Sequence, residues 1–365
     1  MLFYEPLFLF IFFPTFYLAF LLAERRMRAR IAVVLGGSIA FYIWSEPLFI
    51  WVVLASAVLD HLLGRRIARL PRECLKARLL LGCGIVANLG ILAHYKYTRF
   101  LLENIDYLIH GNSVPAPDLP TIVLPVGVSF IVFEKITYLV DIHRRVSRPA
   151  PGLVRYLLYV MFFPKLLAGP IIKYHEMEAQ LRAPPLPRWD DISAGFLRFM
   201  MGAAKKALLA NTLATGADRI FAADPHSVGC LRAWTGVLLF AFQIYLDFSA
   251  YSDMAIGIAR MPGFRLRENF DMPYISCSMS EFWRRWQISL MSWIREYLYI
   301  PLGGNRVGAA RHYLNLWPAS LPPDCGMAPH GRLWSGVPIT VASLCSISCS
   351  WPACWNACRR SSRTC

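Results

Sequence analysis

Apolar residues arrive along this chain in long runs, near 7–23, 31–45, 47–63, 79–95, 121–140, 153–172, 195–215, 232–260 and 283–302, separated by short polar or basic clusters. Runs of this length match helices that cross hydrocarbon. The expected fold class is all-α, a polytopic integral membrane helical bundle. Several runs are imperfect spans. Leu124-Pro-Val-Gly127 and the stretch from Met161 to Pro170 place Pro and Gly inside apolar sequence. Irregular backbone at membrane depth is tolerated where it is buried in protein or lines a cavity. Broken or re-entrant helices around a water-accessible chamber are therefore expected.

The polar clusters set a topology. Arg25, Arg26, Arg28 and Arg30 follow the first run; Arg65, Arg66, Arg69, Arg72, Lys76 and Arg78 follow the third; His143, Arg144, Arg145 and Arg148 follow the fifth. If each run crosses once, all three loops share a side, and the positive-inside rule makes that side cytoplasmic. The N-terminus is then extracytoplasmic, as is the Pro-containing connection between Tyr97 and Pro120. Phe8 to Ala23 lacks a basic leader and a small-residue cleavage site, so it reads as a retained first span. The Pro cluster between His175 and Asp191 forbids one continuous helix there. No internal repeat is visible.

Composition agrees with the membrane class: 56% of the 365 residues are hydrophobic and only 17% charged, with a mean hydropathy of +0.42. That leaves room for about eight to ten spans of roughly 20 residues. The net charge of +15 sits in short loops between apolar runs, with no basic face of interleaved aromatics, so nucleic acid is not an expected partner. Cys74, Cys83, Cys230 and Cys277 are scattered. Cys325, Cys345, Cys349, Cys354, Cys358 and Cys365 crowd the last part of the chain, at spacings that match no zinc pattern and with no interleaved His, so no metal is expected.

The candidate chemistry lies between Phe242 and Arg306, where charges are dense beside apolar runs and costly in hydrocarbon. On a helix Asp247 and Tyr251 face one way, four residues apart, and share one polar wall. Asp253 lies about 120° round from Asp247, so one straight helix does not converge the two carboxylates. Each is either a structural group paired with an Arg of the following segment or a direct contact to substrate. Glu281 precedes Arg284 and Arg285 in the favourable order for helical ion pairs. Trp283 and Gln287 share a face. Trp beside Arg equally suits an interfacial helix with indoles at headgroup level.

Several strings in this order resemble the membrane-bound O-acyltransferase family, in its bacterial alginate O-acetyltransferase-like branch. They are Leu124-Pro-Val-Gly-Val-Ser-Phe130, Phe163-Pro-Lys-Leu-Leu-Ala-Gly-Pro170, Tyr245-Leu-Asp-Phe-Ser-Ala-Tyr-Ser-Asp-Met-Ala-Ile-Gly257, Glu268-Asn-Phe270, Pro273-Tyr-Ile-Ser276, Glu281-Phe-Trp-Arg-Arg-Trp286 and Leu302-Gly-Gly-Asn-Arg306. The resemblance covers residues 1–316. It implies a bundle around a tunnel in the bacterial cytoplasmic (inner) membrane and no bound cofactor. An acyl donor, acetyl-CoA or another acyl thioester, supplies the group from the cytoplasm. The acceptor is a hydroxyl of an exported polysaccharide, or an extracytoplasmic acetyltransferase partner working with polysaccharide export machinery. Asp247, Tyr251, Asp253, Glu281, Trp283, Arg284, Arg285 and Gln287 become candidates for the chamber wall.

Acyl transfer needs a base for the hydroxyl proton and donors for the oxyanion. The family uses a His in a Leu-Trp-His-Gly context after the Gly-Gly-Asn-Arg loop, and this chain has no such string; His312 and His330 do not match. A second family His usually follows Phe-Trp-Arg-Arg-Trp, where this chain has Gln287, which cannot act as a base near neutral pH. No catalytic residue is therefore intact.

Residues 317–365 differ in character, being rich in Pro, Ser, Cys and Arg without an adequate span. A shift of reading frame near Leu316 accounts for this. Joining the third base of each codon to the first two of the next, Asp324-Cys325 must give Leu and Met327-Ala328 must give Gly. Cys325-Gly326 permits Trp, and Gly326-Met327 permits His. Ser335 to Val341 permits Trp-Gly-Ala-His-His-Gly, another family-like string. The tail is thus expected to be aberrant and the chain an inactive form; a divergent natural tail is the alternative. Other functions in view are transfer of D-alanyl groups to teichoic acid and a non-enzymatic transporter or scaffold.

Overall fold

The computed structural model describes residues 3–23, 26–110, 124–167, 169–224 and 227–307; for Arg99 to Leu101 and Glu103 to His110 only the helical backbone is described. All regular structure among them is helical. The chain divides into two compact units, Met1–Asn88 with Pro125–Asn269, and Leu89–Leu124 with Phe270–Cys365.

In the first unit a π-helical turn, Phe8–Phe12, runs into α1 (Phe13–Leu22). It is followed by α2 (Met27–Ser45), α3 (Phe49–Arg69) and α4 (Leu75–His110), whose later part belongs to the second unit. Then come α5 (Val128–Arg144), α6 (Leu153–Met161), the short α7 (Phe163–Leu166) and α8 (Tyr174–Arg182). Next, α9 (Trp189–Ala204) passes through a π-helical stretch, Lys205–Ala210, into α10 (Asn211–Phe221), and α11 (Cys230–Arg260) closes the unit.

Three of the described helices are long and apolar enough to cross a membrane: Met27–Ser45, Leu75–Thr98 and Cys230–Arg260. At 1.5 Å per residue α11 is about 46 Å long, more than the roughly 30 Å of hydrocarbon, so it projects or tilts. The expected polar connection after Tyr97 is corrected, since α4 stays helical to His110. That stretch keeps Leu and Ile at helical spacing and has no Pro before Pro115.

The run 153–172 is broken as its Pro and Gly require. α6 stops at Phe162, whose ψ of 103° leaves the helical region, and Pro164 opens α7 near its first position. Gly127 has φ +76°, and a Cβ there would collide with the carbonyl oxygen of Leu166. Only glycine allows both the turn and the close approach.

Charges inside the apolar helices are paired. Lys135 on α5 meets Asp60 on α3 at 3.0 Å, and Asn88 on α4 donates to the same carboxylate at 2.9 Å. Lys165 on α7 donates to Glu134 on α5, which also accepts from the Ile172 N–H at 3.3 Å. Asp141 receives His175 Nδ1 at 2.9 Å. The Glu134 and Asp141 pairs fasten the broken 162–175 segment to α5, and Lys135 ties α5 to α3, where isolated charges would be very costly.

Candidate functional site

The candidate residues fall in the two units, and each set is described in its own. In the first, α9 lies against α11 through small residues. Cβ atoms on Gly195 and Gly202 would stand 2.7 Å from the carbonyl oxygens of Gly257 and Ala250. This backbone-to-backbone approach is the usual device of helices packed in membranes. It lets the cations of α9 and the following π-helical stretch reach the carboxylates of α11. Arg198 donates to Asp253 Oδ1 at 3.2 Å from Nε and 2.9 Å from Nη2, and also to Glu268. Lys205 Nζ meets Asp253 Oδ2 at 2.6 Å, and Lys206 Nζ meets Asp247 Oδ1 at 2.7 Å.

Both carboxylates are thus paired with cations, but these come from the helical stretch before α11 and not from an Arg of the segment after it, which is one of the two expectations for them. The close glycine packing makes the earlier stretch the nearer source. Asp247 and Asp253 are held by different side chains and do not converge. Nor do Asp247 and Tyr251 share a polar wall. Tyr251 is buried and stacked on Phe3, ring centroids 4.8 Å apart, and among the described residues its hydroxyl has no hydrogen-bond partner. The presence of an aromatic on the neighbouring element turns that face apolar.

Beside this lattice lies a cavity of about 200 Å³ lined by Arg198, Ile256, Arg260, Phe264, Arg265, Leu266 and Glu268. Arg260 Nε reaches Asp191 at 3.4 Å, and Arg265, 77% exposed, comes within 3.9 Å of the same carboxylate. Arg265 therefore keeps donors turned to solvent at the rim.

In the second unit a 3₁₀ turn, Pro273–Ile275, leads to α12 (Met279–Arg285) and α13 (Ile288–Trp293), which continues as a π-helical turn, Ile294–Tyr299. Ser278 caps α12 by accepting from the Glu281 N–H at 3.2 Å. Glu281 in return accepts from the Cys277 N–H at 3.0 Å and pairs with Arg285 at 2.9 Å. Ser-x-x-Glu is a helix-start signal, and it would have revealed this second task of Glu281 from sequence. The Cys277 N–H first, and Arg285 next, hold the Glu281 carboxyl below the usual carboxylate range. Arg284 donates instead to the Ser280 carbonyl at 3.2 Å.

Trp283 and Gln287 do not share a helical face. α12 ends at Trp286, and Gln287 takes a left-handed φ of 44° before α13 starts. Such a φ is unusual for a residue of this size. Gln287 is buried, and Trp286 packs on Phe282 with centroids 5.5 Å apart. Trp283 Nε1 is buried with no partner among the described residues. No group of three His, Cys, Asp or Glu side chains among those residues is arranged to hold a metal. The expectations for residues 317–365, including His330 and the clustered cysteines, and for His312 lie outside the described residues.

Comparison with known proteins places these strings in context. The profile of the membrane-bound O-acyltransferase (MBOAT) family matches residues 109–316. The chain is 38% identical over 365 residues to a probable alginate O-acetylase AlgI of Azotobacter vinelandii, covering 100% of this chain and 69% of that protein. It is 37% identical over 342 residues to the protein of the same description in Pseudomonas syringae pv. tomato, covering 93% and 63%. Identity is 33% over 347 residues to a peptidoglycan O-acetyltransferase of Helicobacter pylori, covering 87% and 64%. The chain spans about two thirds of the length of the curated relatives it matches.

Proposed function

Since this chain belongs to the membrane-bound O-acyltransferase family, we propose that it is built as a membrane O-acyltransferase for polysaccharide hydroxyls. The group moved is acetyl, taken from acetyl-CoA or another acyl thioester at the cytoplasmic face of the bacterial inner membrane. The acceptor is an exported polysaccharide such as alginate, directly or through a partner acetyltransferase outside the membrane. The observation that carries this reading is the similarity to alginate O-acetylases and a peptidoglycan O-acetyltransferase over most of the chain, through the strings that frame Asp247 to Gln287.

In the reaction the acceptor oxygen attacks the thioester carbonyl, a C–O bond forms, and the C–S bond breaks. The hydroxyl proton passes through a base to the departing thiolate. The lattice of Arg198, Lys205 and Lys206 with Asp247, Asp253 and Glu268 supports a rigid, charged wall rather than that base. Arg260 and Arg265 fit the phosphates of a nucleotide thioester entering beside it. The arginine-rich loops, with Arg26, Arg28 and Arg66, then face the cytoplasm and the N-terminus faces outward. Leu-Trp-His-Gly is absent from the 365 residues, so on this reading the chain as it stands lacks its base and does not turn over.

The test uses membranes carrying the chain, isotopically labelled acetyl-CoA and a polysaccharide acceptor. A version whose residues after Leu316 follow the alternative frame releases labelled acetyl into ester. Absence of ester from that version, correctly inserted, overturns the reading.

A further inference from the structure

The first unit carries a second concavity, lined by none of the residues around Arg198 and Arg260. It is a groove of about 510 Å³ on the face shared by α1 and α2 and the turn before them, with Leu7, Ile11, Phe16, Val33, Gly36 and Trp44 among its lining residues. Its one hydroxyl, that of Thr15, is already spent on the Ile11 carbonyl at 2.6 Å. The floor is open because of glycine: a Cβ built on Gly36 meets no atom within 4 Å. From Leu7 to Ala19 the groove runs about 18 Å along the π-helical turn and α1, at roughly 1.5 Å per residue.

A furrow of this kind between membrane helices is not left empty. A void forfeits the dispersion contacts of its walls, and water has no polar partners there to hold it. Hydrocarbon is the available filling, and charge at one end selects which hydrocarbon. Arg26 and Arg28 stand exposed at the start of α2. Arg26, which caps the start of α2, is seven residues before Val33 and fourteen before Ala40, so it stands at the end of the groove-lining face, whereas Arg28 lies about 140° round the helix from Val33. No acidic side chain lies between Arg26 and Ser45.

We propose that this groove is a binding site for one acyl chain of an anionic phospholipid, whose headgroup phosphate lies against Arg26. The site is independent of acyl transfer, and its occupant is a resident lipid rather than a donor or acceptor. Packing supplies the seat of the chain, and Arg26 supplies preference for negative headgroups.

The experiment uses the full chain in nanodiscs doped with phosphatidylglycerol or phosphatidylcholine carrying a photoreactive group midway along one acyl chain. Labelled peptides are mapped by mass spectrometry. Gly36→Phe fills the groove from its open side, Arg26→Gln removes the charge at its end, and Arg28→Gln is the control on the far side of the helix. Thermal stability of each variant is checked in parallel.

The expected result is labelling concentrated on residues 7–19 and 33–44, about fivefold stronger for phosphatidylglycerol than for phosphatidylcholine. Gly36→Phe abolishes that labelling, and Arg26→Gln, unlike Arg28→Gln, erases the headgroup preference while the protein stays folded. Labelling no stronger than on the lipid-facing side of α11 and unchanged by Gly36→Phe overturns the site in favour of ordinary bilayer contact. Intermolecular α1–α2 cross-links together with a dimer that Gly36→Phe dissociates overturn it in favour of a second copy of the chain.

Discussion

Gly257 on α11 stands so close to Gly195 on α9 that a Cβ built on it would lie 2.6 Å from the Gly195 carbonyl oxygen. The obstructing groups are backbone atoms and cannot rotate aside. Gly257→Val therefore pushes α9 from α11 and loosens Arg198 and Lys205 from Asp253. Overpacking of this kind costs about 1–3 kcal/mol. The thermal midpoint in detergent should fall by several degrees relative to Gly36→Ala, which meets open space; equal midpoints would argue against the close contact.

The Glu134–Lys165 pair is almost wholly buried. Removing one partner strands the other charge, at about 3–5 kcal/mol, whereas removing both is far less harmful. Lys165→Met alone should lower folded yield and stability severely, and Glu134→Gln with Lys165→Met should restore much of it. A double variant as unstable as the single one would show that the two side chains act separately.

Glu281 sets an acid limit on the start of α12. Its carboxyl is held low by the Cys277 N–H and Arg285. A folded value below the unfolded one means that its stabilisation is present above the unfolded pKa, about 4.3. That contribution is lost as pH falls through the lowered folded value. Hydrogen exchange at the Cys277 amide should therefore gain an acid-dependent opening component below about pH 4, and Glu281→Gln should lack that component. Identical pH profiles for the two proteins would contradict the cap.

On the proposed function, Arg260 and Arg265 hold the donor's phosphates. Replacing both by Ala should weaken acetyl-CoA binding by about tenfold, with a smaller loss for a dephosphorylated pantetheine thioester. Direct titration with labelled ligand reads this without turnover. Equal losses for both ligands would place the effect on folding rather than on phosphate.

Much of the helical order was legible from hydropathy alone. The runs 31–45 and 232–260 became α2 and α11 within a few residues, and Pro164 and Gly127 marked real breaks. The partners of buried charges were not legible, because Arg198 and Asp253 are far apart in sequence and periodicity carries no tertiary address. A signal did exist for the pairs that went unread: Asp60, Glu134, Lys135 and Lys165 each interrupt an apolar run, and such charges seldom stand alone. The left-handed Gln287, which splits α12 from α13, had no glycine to announce it.

The most direct measurement sets the chain as it stands beside the version whose residues after Leu316 follow the alternative frame. Membranes carrying each receive labelled acetyl-CoA and an exported-type polysaccharide, and ester-linked acetyl is counted. The account predicts ester from the alternative-frame version and background from the other. No ester from a correctly inserted alternative-frame version would contradict the assignment, and equal turnover from both would contradict the loss of the base.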